Sequence, residues 1–84
     1  MSYNVILEKR ARKFITSQPK FQQEIILNAI KQLPDKGDIK PLTGHAGIFR
    51  LRVGGYRIIF TKKDAILLVT VVDVGNRGQI YNDW

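Results

Sequence analysis

Arg50, Arg52 and Arg57 crowd into one stretch, Ile48-Phe49-Arg50-Leu51-Arg52-Val53-Gly54-Gly55-Tyr56-Arg57-Ile58-Ile59-Phe60, and they are the residues here best suited to chemistry. Phe49, Leu51 and Val53 alternate with Arg50 and Arg52, which is the period of a strand with one apolar and one cationic face. Gly54-Gly55 signals a two-residue hairpin loop, and Tyr56 to Phe60 reads as the returning strand. That loop sets Val53 opposite Tyr56, Arg52 opposite Arg57, Leu51 opposite Ile58 and Arg50 opposite Ile59. Like charges facing each other across a sheet are destabilising, so the Arg52 and Arg57 pair asks for an anion to relieve it. A guanidinium stays charged and offers a planar fork of donors that matches phosphate. Such a cluster can bind a phosphodiester, or stabilise the negative charge that grows at phosphorus when a 2'-hydroxyl attacks it, and it needs no metal to do so. The plainer alternative is a solvated face with splayed arginines. A slip of one residue in register would turn Arg57 to the apolar side.

A second cluster, Val74-Gly75-Asn76-Arg77-Gly78-Gln79-Ile80-Tyr81, follows an apolar run directly. Loops at the ends of rigid strands are favoured places for function. Tyr81 can stack on a base or pass a proton, or it can simply pack at the rim of its own fold. Arg77 can join the arginine face. His45 is the one histidine of the chain and reads as an exposed loop residue, because no partner for proton transfer stands at a telling spacing. With no cysteine and one histidine, neither a zinc site nor a Ser-His-Asp set can be drawn. Paired carboxylates at acid and base spacing and a glycine-rich phosphate loop are also missing. The expectation is therefore chemistry without metal or small-molecule cofactor.

Other elements must position these clusters. Tyr3 to Leu7 has the content of a short strand, and Glu8 to Thr16 switches to helical spacing with Ala11, Phe14 and Ile15 on one stripe. Pro19 opens a second helix whose apolar stripe is Phe21, Ile25, Ile26, Ala29, Ile30 and Leu33, and Pro34, Asp35 and Gly37 stop it. A stripe that regular predicts core. Asp38 to Gly47 reads as a loop. After the hairpin and a tight turn within Lys62 to Ala65, Ile66 to Val74 predicts a third strand, central and covered on both faces. The expected fold is α+β over residues 1–84 as one domain: an N-terminal strand, a helical hairpin, then a three-stranded antiparallel meander with the helices on one sheet face.

The 84 residues carry 14 Lys and Arg against seven Asp and Glu, a net charge of +7. Such a potential attracts polyanions, with nucleic acid or an acidic protein as the leading partner classes. A membrane surface is not favoured, because the basic residues do not line a long amphipathic helix. No signal peptide precedes Lys9, Arg10, Arg12 and Lys13, and the longest apolar run, Ala65 to Val72 broken by Thr70, is too short to span a bilayer, so a soluble, cytoplasmic protein is expected.

Pro41-Leu42-Thr43-Gly44, then Gly47 to Phe60, then Val72-Asp73-Val74-Gly75-Asn76-Arg77 and Ile80-Tyr81 together resemble the RelE/ParE superfamily of type II toxin-antitoxin toxins. The likeness covers nearly the whole chain, and its two motifs are far more specific together than apart. It implies the fold already read from periodicity, and a RelE-like activity: cleavage of messenger RNA in the ribosomal A site and arrest of translation. By that likeness Arg57, Arg77 and Tyr81 match family site residues, while Arg50 and Arg52 match two family lysines only with a gap in the hairpin. Asn76 stands where many relatives have histidine, and the chain runs only to Trp84. Arginine stays protonated and is a poor general base, so much of the proton transfer would fall to Tyr81, with a hairpin arginine assisting. The implied partners are the ribosome, messenger RNA and an acidic antitoxin that adds a helix or strand. Two alternatives share the fold: a ParE-like toxin that poisons DNA gyrase by binding, and an inactive relative that only binds antitoxin.

Overall fold

The computed structural model describes residues 3–80 and Trp84. Strand β1 (Asn4–Leu7) leads into helices α1 (Lys9–Thr16) and α2 (Lys20–Lys31), then strands β2 (Asp38–Pro41), β3 (Ile48–Val53) and β4 (Tyr56–Lys63). A short 3-10 turn, Asp64–Ile66, precedes β5 (Leu68–Asn76), and a single turn of helix, α3 (Arg77–Ile80), follows it. The strands form one mixed sheet in the order β1-β5-β4-β3-β2, with β1 parallel to β5 and the other pairs antiparallel. The parallel pair exists because the chain leaves β1 through the helical hairpin and crosses over before it returns.

Two features differ from expectation. The segment Asp38 to Gly47 is not all loop: Asp38–Pro41 pairs with β3 and adds an edge strand beyond the meander. Pro41 sits where a proline is tolerated, at the end of an edge strand. The middle strand is β4, and β5 lies beside it, between β4 and β1. β4 and β5 are both rich in buried residues, so continuous apolar content marks β5 as interior without ranking it above β4.

The helices bury a narrow stripe. Ala11 and Ile15 of α1, Ile26 and Ile30 of α2, and Leu33 after it meet Leu51, Ile58, Phe60, Val69, Val71 and Val74 of the sheet in one cluster. Phe21 and Ile25, expected in the core, stay outside it at 62% and 48% exposed. The reason is angular: Ile25 is one residue, about 100°, away from Ile26 around the helix, and the docked side is the one carrying Ile26, Ile30 and Leu33.

A bulge in β5 decides which way its one acid points. Ile59 pairs with Asp73 but Phe60 pairs with Val71, so Val72 is left over. The extra residue keeps Val71 and Val74 toward the helices and turns Asp73 to the other face, with Ile59. At the far end Tyr3 donates its hydroxyl proton to Asp64 Oδ1 at 2.6 Å, which ties β1 to the turn before β5. That hydrogen bond raises the phenol's pKa above its ordinary value.

Gly37, between α2 and β2, has φ of 119°, and a Cβ built there would lie 2.6 Å from Leu51 Cδ1, a fully packed core atom. Gly37→Ala combines an unfavourable backbone region with overpacking, and should lower the unfolding free energy by about 1–3 kcal/mol. Urea unfolding followed by circular dichroism measures this; an unchanged midpoint would mean that the turn relaxes freely. No helix among the described residues is long and apolar enough to cross a membrane.

Candidate anion-binding face

The sheet face turned away from the helices carries the cations. β3 and β4 pair with Arg52 opposite Arg57 and Arg50 opposite Ile59, the register expected from the Gly54-Gly55 loop. β2 then sets Lys40 opposite Arg50 and Asp38 opposite Arg52. Two pairs of like charge, Lys40 with Arg50 and Arg52 with Arg57, thus lie side by side on one face. Asp38 is shared between them at long range: its Oδ1 is 3.7 Å from Arg50 Nη2 and its Oδ2 4.0 Å from Arg52 Nε. Contacts of that length contribute little and leave most donors of the half-exposed Arg52 available to another anion, while the Arg50 side chain is largely buried.

Arg57 departs from the picture of three splayed arginines. Its residue is 3% exposed, its Nη1 donates to the carbonyls of Tyr56 at 3.0 Å and Gly54 at 3.4 Å, and its buried Nε has no partner among the described residues. Ile59 and Asp73, on the same face, are also buried. The face therefore has a dry centre at Arg57, Ile59 and Asp73, and a wetter cationic rim at Lys40 and Arg52 toward the β2 edge, with the largely buried Arg50 side chain between the two.

Asp73 organises the dry centre. Arg10 Nη2 of α1 lies 3.3 Å from its Oδ2, and Trp84 donates its indole N–H to the same oxygen at 3.0 Å. Trp84 is held a second time by His45, whose Nε2 is 3.0 Å from the main-chain oxygen of Trp84 and whose ring meets the indole edge-on at 5.6 Å. His45, expected to be exposed, is half-buried and acts as a clamp. Beside this clamp an open pocket of about 370 Å³ is lined by Lys40, Pro41, Leu42, Thr43, Arg50 and Trp84.

Arg77 is exposed at the start of α3, and its backbone N–H donates to the Gly55 carbonyl at 2.9 Å, which sets it beside the hairpin tip and near Arg52 and Arg57. Tyr81 lies outside the described residues. Of the five site residues expected from sequence, Arg50, Arg52 and Arg57 are thus brought to one sheet face, and Arg77 lies beside the hairpin tip. Lys40, Asp73 and Trp84 were not expected there. The alternation Asp38-Ile39-Lys40 signalled a strand for Lys40, hidden by the proline after it, and an acid inside Val71-Val72-Asp73-Val74 signalled a buried polar partner. Nothing local in the sequence reports where Trp84 returns. Among the described residues no three His, Cys, Asp or Glu side chains gather into a group that could hold a metal.

The family model of the ParE toxin of the type II toxin-antitoxin system parDE matches residues 5–81 of the chain. No curated protein matches it in sequence. Among solved structures, the toxin-antitoxin complex RelBE2 of Mycobacterium tuberculosis contains a chain similar in fold, with a TM-score of 0.79 at 24% identity, over 92% of this chain and 100% of that one. A chain of the RelE-RelB complex of the archaeon Pyrococcus horikoshii is 25% identical over 94% of this chain and 99% of that one, with a TM-score of 0.75. A chain of the RelB-RelE complex of Methanococcus jannaschii is 26% identical over 94% and 98%, with a TM-score of 0.67.

Proposed function

This chain belongs to the ParE toxin family of type II toxin-antitoxin systems, within the RelE/ParE superfamily, and from that premise we propose that it is a cytoplasmic endoribonuclease that cleaves messenger RNA on the ribosome and so stops translation. The observation that carries the reading is the pairing of Lys40 with Arg50 and of Arg52 with Arg57 on one sheet face, where among the described residues one half-exposed carboxylate, Asp38, reaches Arg50 and Arg52. A face built from repelling cations is stable in the company of a polyanion.

In the proposed reaction the 2'-oxygen of a ribose attacks the adjacent phosphorus, and the bond to the 5'-oxygen of the next nucleotide breaks. The products are a 2',3'-cyclic phosphate and a free 5'-hydroxyl. Arg52 and Arg77, both exposed near the hairpin tip, neutralise the non-bridging oxygens of the phosphorane, and Arg50 and Lys40 hold the neighbouring backbone. Arg57 contributes from beneath: its charge lies in a dry environment where its field is weakly screened. The 2'-hydroxyl proton passes to a water that Tyr81 or a rim arginine orients, and the departing 5'-oxygen takes a proton back from Tyr81 or from that water. An acidic antitoxin would neutralise the same face when the toxin is held silent.

A second reading, inhibition of DNA gyrase by binding alone, is favoured by the ParE description of the matching family model and by the burial of Arg57 away from direct contact with a phosphate. One experiment separates the two. Purified protein is incubated with translating ribosomes and a defined messenger, and the new 5' ends are mapped, with Arg57→Ala and Tyr81→Phe in parallel. Codon-phased ends that fade in both variants are expected. Intact messenger together with growth arrest on expression would transfer the assignment to gyrase.

A further inference from the structure

The pocket between the β2 edge and Trp84 takes in Lys40 and Arg50, the cations that hold the neighbouring backbone above, and adds to them the other components of a recognition site. We infer that it is a nucleotide subsite: the indole of Trp84 stacks on one unpaired base of the RNA, Arg50 and Lys40 take the phosphate beside it, and Pro41 to Thr43 meet the edge of the base. This inference rests on RNA being the substrate and names the residue on which one of its bases stacks.

Four observations support it. The indole is pre-oriented: its N–H is spent on Asp73 at 3.0 Å, its main chain on His45 at 3.0 Å, and the His45 ring braces it edge-on. A ring fixed in this way loses little freedom on binding, which is the condition for an efficient stacking platform. The pocket it lines, about 370 Å³, has room for a nucleobase and is open to solvent. Its cations are placed correctly, since Lys40 and Arg50 are direct cross-strand neighbours and their mutual repulsion is relieved by one shared phosphate. Thr43, which also lines the pocket, carries a hydroxyl of the type that reads base edges.

Trp84 is the single tryptophan of the chain, so its own fluorescence reports on the pocket. The full-length protein is titrated with a 2'-O-methyl trinucleotide, which cannot be cleaved, and with an abasic ribose-phosphate trimer as control. Saturable quenching by the first and not by the second is expected. With labelled RNA, Trp84→Ala should weaken binding roughly tenfold while Trp84→Phe, which retains a stacking ring, should weaken it far less. Lys40→Ala in the otherwise unchanged protein keeps the fluorophore and should move the titration to higher RNA concentration. Equal binding of base-bearing and abasic trimers, or no quenching at all, overturns the subsite even if messenger cleavage on ribosomes is intact. Base-dependent quenching without any cleavage supports the subsite and overturns the ribonuclease reading instead.

Discussion

Arg57→Met is expected to lower toxicity and messenger cleavage by about a hundredfold or more, with the fold as stable as before or stabilised by about 1–3 kcal/mol. The two halves of that result have one cause. Arg57 is 3% exposed, two main-chain carbonyls accept from its Nη1, and its Nε is left without a partner among the described residues. Taking a guanidinium out of water costs several kcal/mol, and neutral carbonyls offset only part of that. Methionine fills a similar volume with no charge to desolvate, and the carbonyls of Gly54 and Tyr56 lie at a hairpin end that water can reach. A charge kept at a cost to stability is the mark of a group retained for chemistry. Urea unfolding and a growth-arrest assay on the same variant test both halves. A loss of more than about 3 kcal/mol would make Arg57 a structural residue, and full toxicity in a stable Arg57→Met protein would remove it from the site.

Particular residues show how much of this was legible in the sequence. The hairpin was fully so, because Gly54-Gly55 fixes both the loop and the register, and from it follows the meeting of Arg52 and Arg57. The burial of Arg57 was not, since alternation tells which face a side chain takes and says nothing of what later covers that face. Asp73 illustrates a second limit. Period-two counting from Val71 would place Asp73 in the helix-facing core, and only the bulge at Val72 sends it to the cationic face beside Ile59. Phe21 and Ile25 show a third: a regular apolar stripe is necessary for a docked helix, but its width exceeds what a short sheet covers. Trp84 could not be placed from sequence at all, because its two hydrogen bonds, to Asp73 and to His45, are made across the fold.

Binding of single-stranded RNA should weaken about a hundredfold between 50 and 500 mM salt. Lys40, Arg52 and Arg77 are the cations of the site that solvent and counterions reach, and each phosphate contact to a single strand releases counterions with a slope of about −0.7 in log affinity against log salt. Three such contacts give a slope near −2, which over a tenfold range of salt is about two orders of magnitude. Arg52→Ala or Lys40→Ala should each bring the slope to about −1.4 and lower affinity without regard to base identity, as expected for contacts that read only the backbone. Arg57→Met should behave differently. A guanidinium already stripped of water in the free protein has few counterions to release, so the slope stays near −2 while the cleavage rate collapses. That divergence would separate residues that gather the RNA from the one whose field acts on the phosphorane. A slope that fell equally for Arg57→Met would place Arg57 on the wet rim and contradict its burial, and a wild-type slope near zero would remove the cationic face from RNA binding altogether. The same titration with a DNA duplex, where the slope per contact is about −0.9, reports whether the rim also serves that polymer.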